Sequence, residues 1–379
     1  MKVLIAIDSF KGSLSSLKAS EAITKGIKEV DPNMETVALP LADGGEGTVE
    51  ALVAATNGSI ITTTVTGPLG GSVEANYGIL GNQNTAVIEV AEACGLPLVP
   101  ISHRNPAITT TYGVGELISD AVNKGCRDFI IGLGGSATND AGVGMLQALG
   151  YRFLDEDYQE IGYGGIELMK LGHIDSSKVR PDLKESSFRI ACDVHNPLYG
   201  PNGAAYVFGP QKGASSEMVE ELDQGLKHFA AIVHKETGIN FQHIAGAGAA
   251  GGLGAAFAGF LNSNMQSGID LVLEVIRLAE QLKDVDLVIT GEGKLDGQTS
   301  MGKAPVGVAA KASEQGIPVI ALAGGTTKEA EVLNTLGVTS YFSIVNGPVS
   351  LEEAMRPENA YYNLKTSASQ LLRLIKAFY

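Results

Sequence analysis

Residues 3–12, Val3-Leu4-Ile5-Ala6-Ile7-Asp8-Ser9-Phe10-Lys11-Gly12, open the chain with five apolar side chains that stop at an aspartate. A short apolar run rich in β-branched residues predicts a strand buried on both faces. Leu14, Leu17, Ile23, Ile27 and Val30 follow at roughly helical spacing, which predicts an amphipathic helix. Working outward, the same unit recurs. Residues 36–41 read as a second strand, and 48–56 as a helix after the loop Asp43-Gly44-Gly45-Glu46-Gly47. Residues 129–133 run into Gly134-Gly135-Ser136 and a helix through Met145, Leu146 and Leu149. Residues 287–289 run into Thr290-Gly291-Glu292-Gly293, and 318–322 end at Gly324-Gly325. Alternating strands and helices predict an α/β fold with parallel strands. Residues 62–65 and 73–80, around Gly67-Pro68-Leu69-Gly70-Gly71, have a different texture and read as a β-hairpin or arm. A second domain is expected to start near there. One discontinuous domain would hold residues 1–65 and 283–379, with residues 66–282 inserted at an exposed loop.

Composition bounds the function. The 379 residues suggest two or three domains at about 150 residues each. With 44% hydrophobic and 18% charged residues, a disordered or fibrous chain is excluded. The 48 glycines are nearly twice the usual share of about 7%, which calls for many tight turns or close backbone approaches. Forty-two acidic against 27 basic residues give a formal charge of −15. That balance opposes a nucleic-acid surface, which needs clustered Lys and Arg, and gives no long-range attraction for anions. An anionic substrate must then be held by local cations, backbone N–H groups or a metal. Cys94, Cys126 and Cys192 form no paired motif, and a reduced cytosol suits them best. The start of the chain has no signal-peptide pattern, and no apolar run approaches the roughly 18 residues of a spanning helix. A cytoplasmic protein without membrane or nucleic-acid partners is expected, its oligomeric state left open.

In open α/β sheets, ligands bind beyond the carboxyl ends of the strands, so the residues after each apolar run matter most. They are Asp8-Ser9-Phe10-Lys11, Asp43-Gly44-Gly45-Glu46, Gly134-Gly135-Ser136-Ala137-Thr138-Asn139-Asp140, Cys192-Asp193-Val194-His195-Asn196, and Glu292 with Lys294 and Asp296. Singly, Asp43 or Ser136 reads as well as a helix cap. Five such clusters together predict a site.

Three glycine motifs resemble phosphate binders. Residues 297–304 fit G-x-x-x-x-G-K, but Ala304 stands where a P-loop needs Ser or Thr, and the segment starts about seven residues after the apolar run. Lys303 is then either an anion contact at a helix start or a solvated first-turn residue. Residues 246–251 match G-x-G-x-x-G with Asp270 about twenty residues on, yet Gln242-His243-Ile244 is a poor strand. Close helix packing is the competing explanation, and an NAD(P)-dependent oxidoreductase acting on a small hydroxy acid is the alternative function. Residues 132–137 have the better context, with a strand before and a helix after. Their N–H groups could cradle a phosphate or simply begin a capped helix.

Taken together, the strings Asp8-Ser9-Phe10-Lys11-Gly12-Ser13, Ala42-Asp43-Gly44-Gly45-Glu46-Gly47-Thr48, residues 134–140, Cys192-Asp193-Val194-His195-Asn196-Pro197-Leu198 and Thr290-Gly291-Glu292-Gly293-Lys294-Leu295-Asp296 resemble the bacterial glycerate kinase family, type I. The resemblance runs from the first strand to near the C-terminus. It implies a flavodoxin-like (Rossmann-like) parallel-sheet domain with a second α/β domain inserted. It also implies transfer of the ATP γ-phosphoryl group to D-glycerate with Mg2+, the acceptor hydroxyl being either the 2- or the 3-position.

Phosphoryl transfer needs positioning and charge neutralisation: carboxylates for Mg2+, a cation for phosphates, and a group to accept the hydroxyl proton. On this reading Lys11 binds an anion, while Asp43 and Asp193 share the base and metal roles in either order. Glu46, Asp140, Glu292 and Asp296 are further candidates for metal or ribose contacts. Asp8, Ser9, Gly44, Gly45, Gly135 and Asn196 are expected to line the substrate and nucleotide site. Ser136, Thr138 and Asn139 would hold substrate or phosphate through hydroxyl, amide and N–H groups.

Overall fold

A computed structural model describes residues 1–261 and 263–378. Among these residues the strands are β1 (Lys2–Ile7), β2 (Glu35–Pro40), β3 (Ser59–Thr66), β4 (Ser72–Ile79), β5 (Thr85–Glu89), β6 (Asp128–Gly132), β7 (Arg152–Leu154), β8 (His173–Asp175), β9 (Ser187–Ala191), β10 (Asn264–Gln266), β11 (Leu287–Leu295), β12 (Val319–Thr326) and β13 (Ser340–Ser343). The chain divides into two compact units. The first holds Met1–Asp43, Glu50–Thr56 and the chain from Ile269 onward; the second holds Gly44–Val49 and Asn57–Gly268.

The first unit is built on a five-stranded sheet, β13-β12-β11-β1-β2, every pair of which is parallel. Counted within the unit, the order is 2-1-3-4-5, the flavodoxin-like doubly wound arrangement, with its switch point between β1 and β11. The opening apolar run is buried on both faces, as Val3 to Ile7 have no exposed surface. Helix Ser16–Val30 begins at Ser15, whose Oγ accepts from the Lys18 N–H at 3.3 Å. It buries Ala19, Ala22, Ile23 and Ile27 in a core shared with Ala360, Leu364, Ala368 and Leu372 of helix Pro357–Lys376. At Gly26 the Lys365 carbonyl comes so close that a Cβ has no room.

The second unit is mixed α/β. Its sheet runs β10-β9-β6-β5-β4-β3, with β10, β9, β6 and β5 parallel and the last two strands antiparallel. β3 and β4 form the expected hairpin, with Val65 opposite Val73 and Gly70 at φ +83° in the turn. Because β3 bonds along its whole length to β4, the second unit takes in the chain from Asn57, ahead of residue 65. Ile269 belongs to the first unit, where its side chain packs on Gly307. The core includes Phe129 stacked on Phe188 with ring centroids 4.9 Å apart.

One element is longer than the apolar pattern indicated. β11 continues to Leu295, since Glu292, Lys294 and Leu295 pair with Ala323, Gly325 and Thr326 of β12. Glu292 and Gly324-Gly325 therefore lie within strands instead of in loops beyond them. Among the described residues no helix is long and apolar enough to cross a membrane.

Candidate active site

Strand ends of the first unit gather charge at the switch point. The Asp8 N–H bonds the Gly291 carbonyl at 3.0 Å, which ties the end of β1 to β11, and an Asp8 oxygen accepts from the Ser9 N–H at 2.6 Å. Asp8 is 3% exposed. Burial, then the charge of Asp43, pushes its carboxyl up to about 7. From the same loop Lys11 Nζ reaches Asp43 Oδ2 at 3.0 Å, beyond β2. Burial opposes the Lys11 charge, but Asp43, together with Asp8 and Glu292, holds the ammonium above its ordinary value.

Glu292 completes this group. It is buried, and burial raises its carboxyl even though Oε1 accepts from Thr299 Oγ1 at 2.6 Å. Lys303 Nζ stands 3.9 Å from the other oxygen. Lys303 directly precedes helix Ala304–Ser313, so the G-x-x-x-x-G-K segment presents its lysine to a carboxylate of the switch point. Asp296 bonds Lys294 at 3.1 Å, which lowers its carboxyl. The fold thus brings together Asp8, Lys11, Asp43 and Glu292 from three separate places in the sequence, with Ser9 and Asp296 nearby in the chain.

The remaining sequence candidates fall in the second unit. Gly44 is at φ +88° and Glu46 is exposed in the loop that Thr48 Oγ1 closes on the Gly45 carbonyl at 2.7 Å. Gly134 and Gly135 are exposed, while residues 136–140 turn inward. Asp140 is 1% exposed, and its oxygens accept from Thr111 N–H, Thr111 Oγ1, Gly142 N–H and Gly144 N–H at 2.8–3.3 Å. Its carboxylate organises the loop instead of facing a ligand. Asn139 is fully buried, and its side-chain oxygen and nitrogen have no protein partner. Asp193 is exposed, with Oδ1 accepting from the Gly268 N–H at 3.0 Å, and Asn196 donates to the Asn202 carbonyl at 2.9 Å.

Two charged residues carry no motif and escaped the sequence reading. Lys212 is 2% exposed and donates to Ser136 Oγ at 2.9 Å and the Thr138 carbonyl at 2.7 Å. Burial pushes its ammonium down to about 8. Glu89, at the end of β5, accepts from the Val49 N–H at 2.8 Å, and burial lifts it to about 7. A charged residue at the end of an apolar strand was the available signal for Glu89; Lys212 sits in the short 3-10 turn Pro210–Lys212 and offered none.

The G-x-G-x-x-G segment lacks the dinucleotide context. A 3-10 turn, Phe241–His243, stands where a strand is required. Its glycines serve close packing: a Cβ on Gly251 would strike the Thr138 carbonyl, and one on Gly248 the Pro197 carbonyl.

A doubly wound sheet with carboxylates and lysines at its switch point defines the class, an α/β enzyme acting on small anionic molecules. The glycerate kinase family model matches residues 3–376. A glycerate kinase of Bacillus subtilis is 50% identical over 99% of this chain and 98% of its own length. A glycerate 2-kinase of Escherichia coli is 48% identical over 96% of this chain and 95% of its own. A crystal structure from Salmonella typhimurium LT2, described as a candidate glycerate kinase 2, superposes with a TM-score of 0.90 at 45% identity, covering 100% of this chain and 98% of that one. The chain belongs to the glycerate kinase family.

Proposed function

We propose that this chain transfers the γ-phosphoryl group of ATP to D-glycerate, at the 2-hydroxyl named for the E. coli relative. The observation that carries the reading is the Lys11–Asp43 pair beside buried Asp8 at the sheet's switch point. In the step, the acceptor oxygen forms a bond to the γ-phosphorus, the bridging β–γ oxygen bond breaks, and ADP leaves with the electron pair. Asp43 receives the hydroxyl proton, and Lys11 offers charge to the phosphate oxygens. Ser136, Thr138, Asn139, Asn196 and the N–H groups of Gly44, Gly45 and Gly135 are proposed hydrogen-bonding groups for substrate. Asp193 remains a proposed carboxylate of the reaction.

Asp8 and Glu292 suit a divalent ion. Both are buried acids held up by desolvation, and Asp43 adds a like charge beside each, so a cation there would relieve the crowding. Among the described residues no three His, Cys, Asp or Glu side chains form a metal cage. The set matches the way Mg2+ is usually held, by one or two carboxylates with substrate phosphates and water. Bound there, Mg2+ would supply positive charge to the phosphates.

Purified full-length protein is mixed with Mg-ATP and D-glycerate, and ADP and phosphoglycerate are followed, with phosphorus NMR distinguishing the 2- from the 3-phosphate. Absence of ADP release above background over a wide glycerate range would sink the reading.

A further inference from the structure

β5 ends on a carboxylate that the reaction described above does not use. Glu89 pairs with Gly132 at the end of β6 and is 9% exposed. Its Oε1 accepts from the Val49 N–H at 2.8 Å, and the Gly47 N–H bonds the same carboxylate. Val49 stands in the first turn of helix Thr48–Thr56, where the leading N–H groups have no partner within the helix. Burial, Glu92 and Glu46 all oppose the Glu89 charge, and the two N–H groups support it.

The loop that Glu89 holds is seated on strand ends of the second unit at two further points. Gly44 lies against Ala191 at the end of β9, where a Cβ on the glycine would come within 2.5 Å of the alanine Cβ. The Gly44 carbonyl lies so close to Gly132 that a Cβ on Gly132 has no room. Thr48 Oγ1 then closes the loop on the Gly45 carbonyl. Three of the four residues 44–47 are glycine, so the free loop has much conformational freedom to lose, and its shape depends on such anchors. Asp43 is joined directly to Gly44. A misplacement of about 1 Å in a reacting group can cost about 10²-fold in rate.

We propose that Glu89 is a positioning residue of the phosphoryl-transfer reaction, its carboxylate fixing the 44–49 loop and, through the chain, the proton acceptor Asp43. The assignment rests on the kinase reading above. Glu89 touches no reacting atom; it acts by holding the Gly47 and Val49 N–H groups, so that the loop starting at Gly44 keeps one shape through the catalytic cycle.

The test uses full-length protein and two variants that keep side-chain size. Glu89→Gln offers one acceptor atom in place of two, and Thr48→Val removes the hydroxyl that closes the same loop. Amide hydrogen exchange over residues 44–49 is followed by mass spectrometry, and kcat and KM are measured for ATP and D-glycerate well below the thermal midpoint of each protein. In both variants exchange over 44–49 is expected to quicken at least about tenfold and kcat to fall at least about tenfold, while both KM values stay within about threefold. Placed in an Asp43→Asn background, Glu89→Gln is expected to cost less than about twofold more, because the group it positions is already gone. If Glu89→Gln lowers the thermal midpoint but leaves kcat within twofold of wild type, the residue only stabilises the fold and the proposal is overturned. Full additivity with Asp43→Asn overturns it as well, as does a fall in kcat with exchange over 44–49 unchanged. In each of these cases wild type still phosphorylates glycerate and the kinase reading stands; wild type without turnover removes that reading and the positioning role together.

Discussion

The buried ammonium of Lys212 donates to Oγ of Ser136 over 2.9 Å, and a second bond reaches the Thr138 carbonyl. An internal lysine thus braces the inward half of the glycine loop after β6. Lys212→Met removes both donors and leaves two buried acceptors unpaired, which costs about 1–3 kcal/mol each when uncompensated. A clear fall in thermal midpoint is expected. The pH dependence carries a sign. The Lys212 ammonium is pushed from 10.5 down to about 8 in the folded chain, so between those values the unfolded chain binds more protons. The stability difference between wild type and Lys212→Met should therefore grow as pH rises from about 8 to 10. Denaturant midpoints across that window that stay parallel count against a lowered Lys212 ammonium in the fold.

The Lys11–Asp43 pair is expected to matter for turnover more than for stability. Lys11 is largely exposed, and such ion pairs contribute about 0–1 kcal/mol. Asp43→Asn should lower kcat by about 10²–10⁴, the usual worth of a positioned proton acceptor, with little change in thermal midpoint. Lys11→Met should raise the ATP KM as well as lower kcat. If Asp43→Asn retains turnover within a few-fold of wild type, the proton acceptor lies elsewhere, with Asp193→Asn as the next variant to measure.

Asp8 makes a pH-dependent contribution of opposite sense to the usual carboxylate. Its pKa rises from 3.8 to about 7 on folding, so the folded chain binds more protons in that interval. The stability it lends is full below about pH 4 and is lost as pH climbs toward 7. Relative to Asp8→Asn, wild type should lose stability across pH 4–7 and level off above. Calorimetric midpoints that move in step for the two proteins contradict the raised carboxyl.

Asp140 is expected to behave as a structural residue. Asp140→Ala strips four donors of their acceptor inside the core, an effect of several kcal/mol by the cost of unpaired buried groups. The thermal midpoint should drop much further than for exposed Asp193→Asn. Kinetics of any folded Asp140→Asn enzyme should show reduced stability with substrate KM values little altered.

Much of this was legible in the chain. The strand over residues 3–7, the helix that follows it and the hairpin around Gly67 and Gly71 all form where period and turn residues placed them. Long motif strings carry the family resemblance in the sequence alone. Periodicity misjudged the extent of β11, because Gly291, Glu292 and Gly293 look like loop residues until β12 supplies hydrogen-bond partners alongside. It also could not tell that Asp140 faces inward, since Thr111 and Gly144, which occupy its oxygens, are contributed by a different loop and the following helix.

The sequence by itself determined the α/β alternation, the strand-end position of Asp8, Lys11, Asp43 and the 134–140 loop, and family membership, because these depend on local period and contiguous strings. Only tertiary structure decided which charges act on one another. The 3.0 Å approach of Lys11 to Asp43, the crowding that lifts Asp8 and the burial of Lys212 against Ser136 all join residues far apart in the chain. Coulombic and desolvation energies depend on distance through space and on depth from water, and neither is written along the chain.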